Sequence, residues 1–85
     1  MAEVVIYTKA YCPYCVRAIS LLEQKKVAYQ EVKIDQQPER RAEMIEKANG
    51  RSTVPQIFIG TTHIGGCDEM FALQAAGKLD SLLTA

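Results

Sequence analysis

The chain has 85 residues, 48% of them hydrophobic, and its ten basic side chains are balanced by ten acidic ones. That length predicts a single domain over residues 1–85, with enough apolar material for a modest core that needs neither metal nor disulfide as a staple. A net charge of zero, with Arg40-Arg41 the nearest thing to a basic cluster, argues against general nucleic-acid binding, which draws its affinity from phosphate neutralisation.

The opening segment, MAEVVIYT, lacks a basic stretch, and its apolar run is too short for a signal peptide or a membrane span. The expectation is therefore a cytosolic protein with no membrane partner. In that compartment a paired cysteine motif marks redox or metal chemistry more often than a structural bond. The chain has three cysteines, an odd number, which leaves at least one thiol outside any intramolecular pairing.

Residues 3–8, EVVIYT, are β-branched and aromatic and predict a buried strand. A helix follows, with Pro13 suited to its first turn because the missing N–H would be unbonded there. Val16, Ile19, Leu21 and Leu22 supply its apolar face. Residues 29–34, YQEVKI, alternate polar with apolar and predict a second strand, completing a βαβ unit of the usual right-handed kind. A second helix is expected from Pro38 to Asn49-Gly50, with Met44, Ile45 and Ala48 facing inward. QIFIG at 56–60 predicts a third strand, and Gly60-Thr61 can turn the chain into a short fourth strand over 61–64, followed by Gly65. Gly65-Gly66 then leads to a helix near 67–76, ended by Gly77, and KLDSLL predicts a short final helix. This order is β-α-β-α-β-β-α with a hairpin in place of a third crossover. It describes an α/β fold with a mixed four-stranded sheet and helices on both faces.

Cys12 and Cys15, separated by Pro13 and Tyr14, lie where the first strand gives way to the helix. A structural clip there would close only a four-residue loop, worth about 2 kcal/mol by the chain-entropy relation. A zinc set of Cys12, Cys15, His63 and Cys67 is conceivable, but one Cys pair without a matching second pair is a weak zinc signal. His63, in a hairpin strand, reads more readily as a surface or half-buried imidazole. The reactive reading has a direct physical cause. Unpaired N–H groups and the positive end of the helix dipole favour an anion at Cys12, and Lys9 adds a nearby cation. Cys12 should therefore ionise more readily than a free thiol. Cys15, one helical turn deeper, should be less exposed and more ordinary. Easier ionisation does little for the speed of attack, because the gain in thiolate is nearly cancelled by lost nucleophilicity at a Brønsted slope of about 0.4–0.5. The larger gain is that Cys12 becomes a good leaving group.

With Cys-Pro-Tyr-Cys after a strand, TVP at 53–55 before the third strand and GGCD at 65–68 opening the next helix, the chain resembles the glutaredoxins of the thioredoxin-fold superfamily over essentially its whole length. Thioredoxin itself matches less well, because the Gly-Pro centre is missing and there is no Trp. The resemblance implies a thioredoxin-like fold and thiol–disulfide exchange with glutathione as co-substrate. Cys12 would attack a protein–glutathione mixed disulfide. A second glutathione, or Cys15, would resolve the adduct. The implied partners are glutathione, glutathionylated or disulfide-containing proteins and, indirectly, glutathione reductase, with the protein acting as a monomer.

The same resemblance implies a cis Pro55 that exposes the Val54 backbone to the cysteinyl part of glutathione, with Thr53 supporting that turn, lining the groove or standing as a generic loop hydroxyl. Gly66, Cys67 and Asp68 would hold the γ-glutamyl end, and the Asp68 carboxylate is alternatively a helix cap. Lys9, Arg41 and Gln56 would serve the glycine carboxylate, although Arg41 could equally be solvated. Tyr14 would flank the reactive sulfur or merely pack, and Cys67 would matter for its backbone more than its sulfur. No resident metal is implied, since glutaredoxins that carry an iron–sulfur cluster mostly lack the Pro-Tyr centre or one of the two cysteines. A non-enzymatic iron–sulfur or zinc carrier using the same thiols is the rival from another class.

Overall fold

Alternation along one strand organises the molecule. In the computed structural model, which describes residues 2–85, strand β1 (Val4–Thr8) turns Val4 and Ile6 to one face and Val5 and Tyr7 to the other. Helix α1 (Pro13–Gln24) follows, then β2 (Gln30–Lys33), α2 (Arg40–Lys47), β3 (Gln56–Ile59), β4 (Thr62–Gly65), α3 (Cys67–Ala75) and α4 (Leu79–Leu83). The strands lie in the order β2-β1-β3-β4. β1 pairs parallel with β2 and antiparallel with β3, and β3 pairs antiparallel with β4. The fold is thioredoxin-like, with the expected mixed sheet.

Each face of the sheet carries its own core. Val4, Ile6, Ile57 and Ile59 pack with Ala18, Leu21 and Leu22 of α1, Met70 of α3, and Leu79 and Leu83 of α4. On the opposite face, Tyr7, Val32, Ile34 and Phe58 pack with Met44 of α2 and Ala48 at its C-cap. Three helices therefore cover one face and one covers the other.

Several element bounds differ from the sequence reading, each for a local reason. Val16 is exposed, and the inward face of α1 is instead Cys15, Ala18, Leu21 and Leu22. The helical neighbours of Val16 one and two turns on are Ser20 and Glu23, so its side of the helix is polar. Pro38 lies before α2 rather than at its first position. Its carbonyl accepts the Arg41 N–H in a turn, Glu39 is the N-cap, and α2 begins at Arg40. The end of α2 is as expected. Asn49 and Gly50 take positive φ (58° and 93°), and the Gly50 N–H closes on the Ile45 carbonyl. β4 runs one residue later than expected, because Gly60 and Thr61 form the turn.

Candidate active site

The two cysteines owe their place to the way β1 hands the chain to α1. The Ile34 N–H bonds to the Thr8 carbonyl, the Thr8 hydroxyl donates to Glu31, and the Ala10 N–H donates to Asp35 at 3.1 Å. These bonds tie the connecting loop to β2 and the turn after it. Tyr11 then turns through positive φ and stands in solvent. Cys12 is the N-cap of α1 in extended conformation, and Pro13 occupies the first helical position.

The Cys12 sulfur does the work of a capping oxygen. It accepts the Cys15 backbone N–H at 3.2 Å, satisfying one of the donors that a helix start leaves unpaired. That contact and the helix dipole both favour negative charge on this sulfur. Cys12 and Cys15 are joined as a disulfide with their Cα atoms 5.2 Å apart. Cys15 is the deeper of the two, 2% exposed against 8% for Cys12. The Cys12 sulfur also lies 3.9 Å from the Val54 carbonyl oxygen, so the loop before β3 runs beside it. The Val54–Pro55 peptide bond is cis.

One hollow opens on this sulfur and a second lies beyond Tyr14 and Val54. The larger, about 560 Å³, is lined by both cysteines, Lys9, Tyr11, Val16, Glu31, Lys33 and Asp35 among others. The smaller, about 140 Å³, is walled by Tyr14, Arg51, Thr53, Val54, Pro55, Gly66, Cys67, Asp68 and Glu69. Seven of the residues singled out in the sequence, namely Tyr14, Thr53, Val54, Pro55, Gly66, Cys67 and Asp68, thus converge on one pocket. Lys9 stands apart in the larger hollow. Arg41 is exposed on α2 and lines neither hollow.

Gln56 is not on the pocket wall either. It is fully buried, and its amide is engaged at both ends. Its Nε2 donates to the Thr53 carbonyl (3.0 Å) and hydroxyl (3.2 Å), and its Oε1 lies 2.7 Å from His63 Nε2.

The start of α3 corrects the assignment of its cap. Gly66 is the N-cap, and it is Glu69, not Asp68, that takes the Gly66 N–H, at 2.7 Å. Arg51 pairs with the same carboxylate at 3.0 Å. The Gly66 N–H first and Arg51 second hold the Glu69 carboxyl below its ordinary value. Gly65 is required here. Its φ is +112°, and a Cβ would meet the Glu69 carboxylate at 2.6 Å. Burial pushes the Cys67 thiol up, with Arg17 acting against that, so Cys67 is less ready to ionise than a free thiol. His63 is pushed down, by burial first and Arg51 second.

Sequence reasoning missed Arg51 and Glu69. The Gly66-to-Glu69 spacing of a capping box was available as a signal. Nothing local marks Arg51, which meets Glu69 only through the fold.

A protein-family model described as Glutaredoxin matches residues 4–64. A glutaredoxin of Pseudomonas aeruginosa is 60% identical over 85 residues, spanning 100% of both chains. Glutaredoxin 3 of Escherichia coli is 59% identical over 83 residues, covering 98% of this chain and 99% of its own. Among solved structures, a buckwheat glutaredoxin–glutathione complex superposes with a TM-score of 0.88 at 37% identity, covering 98% of this chain and 77% of that one. The solution structure of a glutaredoxin from Brucella melitensis gives 0.84 at 54% identity, with coverage of 98% and 89%.

Proposed function

The chain belongs to the glutaredoxin family and is a thiol–disulfide oxidoreductase with a Cys-x-x-Cys pair, and we propose that glutathione supplies its electrons. The observation that carries this reading is the position of the Cys12 sulfur. It caps α1, accepts the Cys15 N–H and lies 3.9 Å from the carbonyl of Val54, a wall residue of the smaller pocket that runs to the start of α3. The buckwheat relative was solved with glutathione, which supports the same ligand here.

In the proposed cycle the Cys12 thiolate attacks the glutathionyl sulfur of a protein mixed disulfide. A Cys12–glutathione disulfide forms, and the protein thiolate leaves and takes up a proton. The thiolate of a second glutathione then attacks that adduct, oxidised glutathione departs, and Cys12 is again a thiolate. With a protein disulfide the adduct is between Cys12 and the protein. Cys15, deprotonated, attacks the Cys12 sulfur, the reduced protein is released and the Cys12–Cys15 disulfide closes. Two glutathione molecules reopen it. The Cys15 N–H stabilises Cys12 both as attacking anion and as leaving group, and the second role gains more.

The tripeptide would lie along the smaller pocket. The Val54 backbone would pair with its cysteinyl unit like a short strand, with Thr53 and Pro55 shaping that edge and Tyr14 covering the sulfur. The N–H groups at Gly66, Cys67 and Asp68 would receive the γ-glutamyl carboxylate, and the Asp68 carboxylate its ammonium. Lys9 is the proposed cation for the glycine carboxylate. Contact from Arg41 requires its side chain to reach across from α2, and contact from Gln56 requires its amide to give up an internal bond. The proposal is completed by action as one domain and a monomer in the cytoplasm, on glutathionylated or disulfide-containing proteins, with glutathione reductase as the indirect electron source.

The test is turnover of a small glutathionylated disulfide with glutathione and glutathione reductase. Cys12→Ser should abolish it. Cys15→Ser should spare it while impairing reduction of a protein disulfide. Near-normal turnover by Cys12→Ser, or a wild-type protein that purifies with stoichiometric iron or zinc and turns nothing over, would refute the reading.

A further inference from the structure

Gln56 is buried and polar in the middle of the sheet, and its side chain bridges two elements. Its Nε2 carries two hydrogens, and both are directed to Thr53, at the carbonyl (3.0 Å) and the hydroxyl (3.2 Å). A carbonyl can only accept, so the amide orientation is fixed and Oε1 is left facing His63 Nε2 at 2.7 Å. The imidazole must therefore carry its proton on Nε2. The opposite amide orientation would set Oε1 against the Thr53 carbonyl, oxygen to oxygen. The ring of His63 is itself held flat on Phe58, with centroids 4.9 Å apart and planes 28° from parallel, where the two residues pair across β3 and β4.

We infer that His63 is a positioning residue for the proposed glutathione pocket, acting through Gln56 on Thr53 and hence on the backbone edge that Val54 presents beside Cys12. This inference rests on the glutathione reading and adds a residue to it. His63 does not line the pocket. Its N–H anchors the Oε1 end of the buried amide, the Nε2 end holds Thr53 from within, and Thr53 and Val54 are pocket wall. Loss of the N–H strands a buried acceptor and leaves the amide anchored at its Thr53 end alone, so the edge loses its pre-set position. The cost should appear in substrate capture rather than in the sulfur chemistry, because Cys12 is held separately by the start of α1.

The experiment compares His63→Phe, which keeps the stacked ring and removes the donor, with His63→Gln, which restores an N–H donor. For the glutathionylated substrate, His63→Phe should raise KM about three- to ten-fold with kcat within about twofold, and His63→Gln should return KM to within about twofold of wild type. Nitrogen-correlated NMR of the unmodified protein should show the Nε2–H tautomer of His63 and a slowly exchanging Gln56 side-chain amide. A His63 proton found on Nδ1, an unchanged KM in His63→Phe, or a His63→Gln variant no better than His63→Phe overturns the inference. If the wild type does not turn over the substrate, the glutathione reading fails on its own, and the NMR measurement still judges the His63–Gln56 link. Should His63→Phe fail to fold, the tautomer together with Gln56→Glu, which replaces the donating nitrogen by oxygen and should raise KM likewise, decides the matter.

Discussion

Asp68 and Glu69 are adjacent carboxylates on the first turn of α3, and their surroundings give them different work. Glu69 takes the Gly66 N–H and the Arg51 guanidinium, while Asp68 is exposed at the mouth of the smaller pocket with no side-chain bond among the described residues. Glu69→Ala should therefore cost about 1 kcal/mol of stability, as the loss of a helix cap does. Asp68→Ala should leave the unfolding midpoint alone and raise KM for a glutathionylated substrate several-fold. Urea unfolding and steady-state kinetics on the two variants check this, and a midpoint shift in Asp68→Ala with unchanged KM contradicts it. The pH dependence follows the same split. The Glu69 carboxyl is held down in the folded state, so its contribution is complete above the ordinary carboxylate range and is lost as pH falls through its lowered value. At this scale the sequence was half legible. Residues 65–68 showed where α3 begins, the TVP segment marked the facing wall of the pocket, and the cysteine pair marked the larger hollow beside it. The cap, offered only as the alternative role of Asp68, belongs to the next residue, Glu69. Arg51 was out of sight because its partner is 18 residues away and only the fold brings them together.

Helix α2 meets the sheet through a polar contact as well as an apolar one. The Tyr7 hydroxyl, on β1, donates to Glu43, which Arg40 grips at 2.8 Å from the previous turn. Burial first, and the Glu43 carboxylate second, push the Tyr7 phenol up to about 12. The folded state thus keeps this proton after an unfolded chain, ionising at its ordinary value, has begun to release it. Stability from Tyr7 is complete below about pH 10 and falls as pH rises towards about 12. Tyr7→Phe should cost about 1 kcal/mol at neutral pH and should unfold less steeply with rising alkali than the wild type. Denaturant midpoints at pH 7 and in the alkaline range test the sign, and parallel curves for the two proteins contradict it. Such a link joins residues far apart in sequence and no periodicity announces it. Apolar periodicity did reveal Met44, Ile45 and Ala48 on α2. It misled on α1, where the three-residue spacing of Val16, Ile19 and Leu22 put Val16 inside although the repeat through Cys15, Ala18, Ile19 and Leu22 is the buried one.

The molecule as a whole depends on β1 and β3, because the alternating side chains of these two strands build both cores. The succession of elements along the chain and the hairpin were legible, since turn residues and apolar runs announce them. The sharing of one sheet by two cores follows from pairing register, which the sequence does not print. One consequence is that damage on the α1–α3–α4 face should be felt by the entire fold. Leu79 is fully buried there, and α4 also closes the chain ends together, with the Ala2 N–H on the Leu83 carbonyl. Leu79→Ala should cost about 2–5 kcal/mol, a large share of the roughly 5–15 kcal/mol that holds such a fold. If the two cores unfold as one, the urea midpoint falls, the slope is unchanged, and probes on either face report the same transition. The pocket at Cys12 is built from the other end of the strands, by the start of α1, the loop before β3 and the first turn of α3. In conditions where the variant remains folded, kcat/KM should therefore stay within about twofold of wild type. Separate transitions for the two faces, or a loss of kcat/KM ahead of unfolding, would show that the cores are independent or that α4 reaches the site.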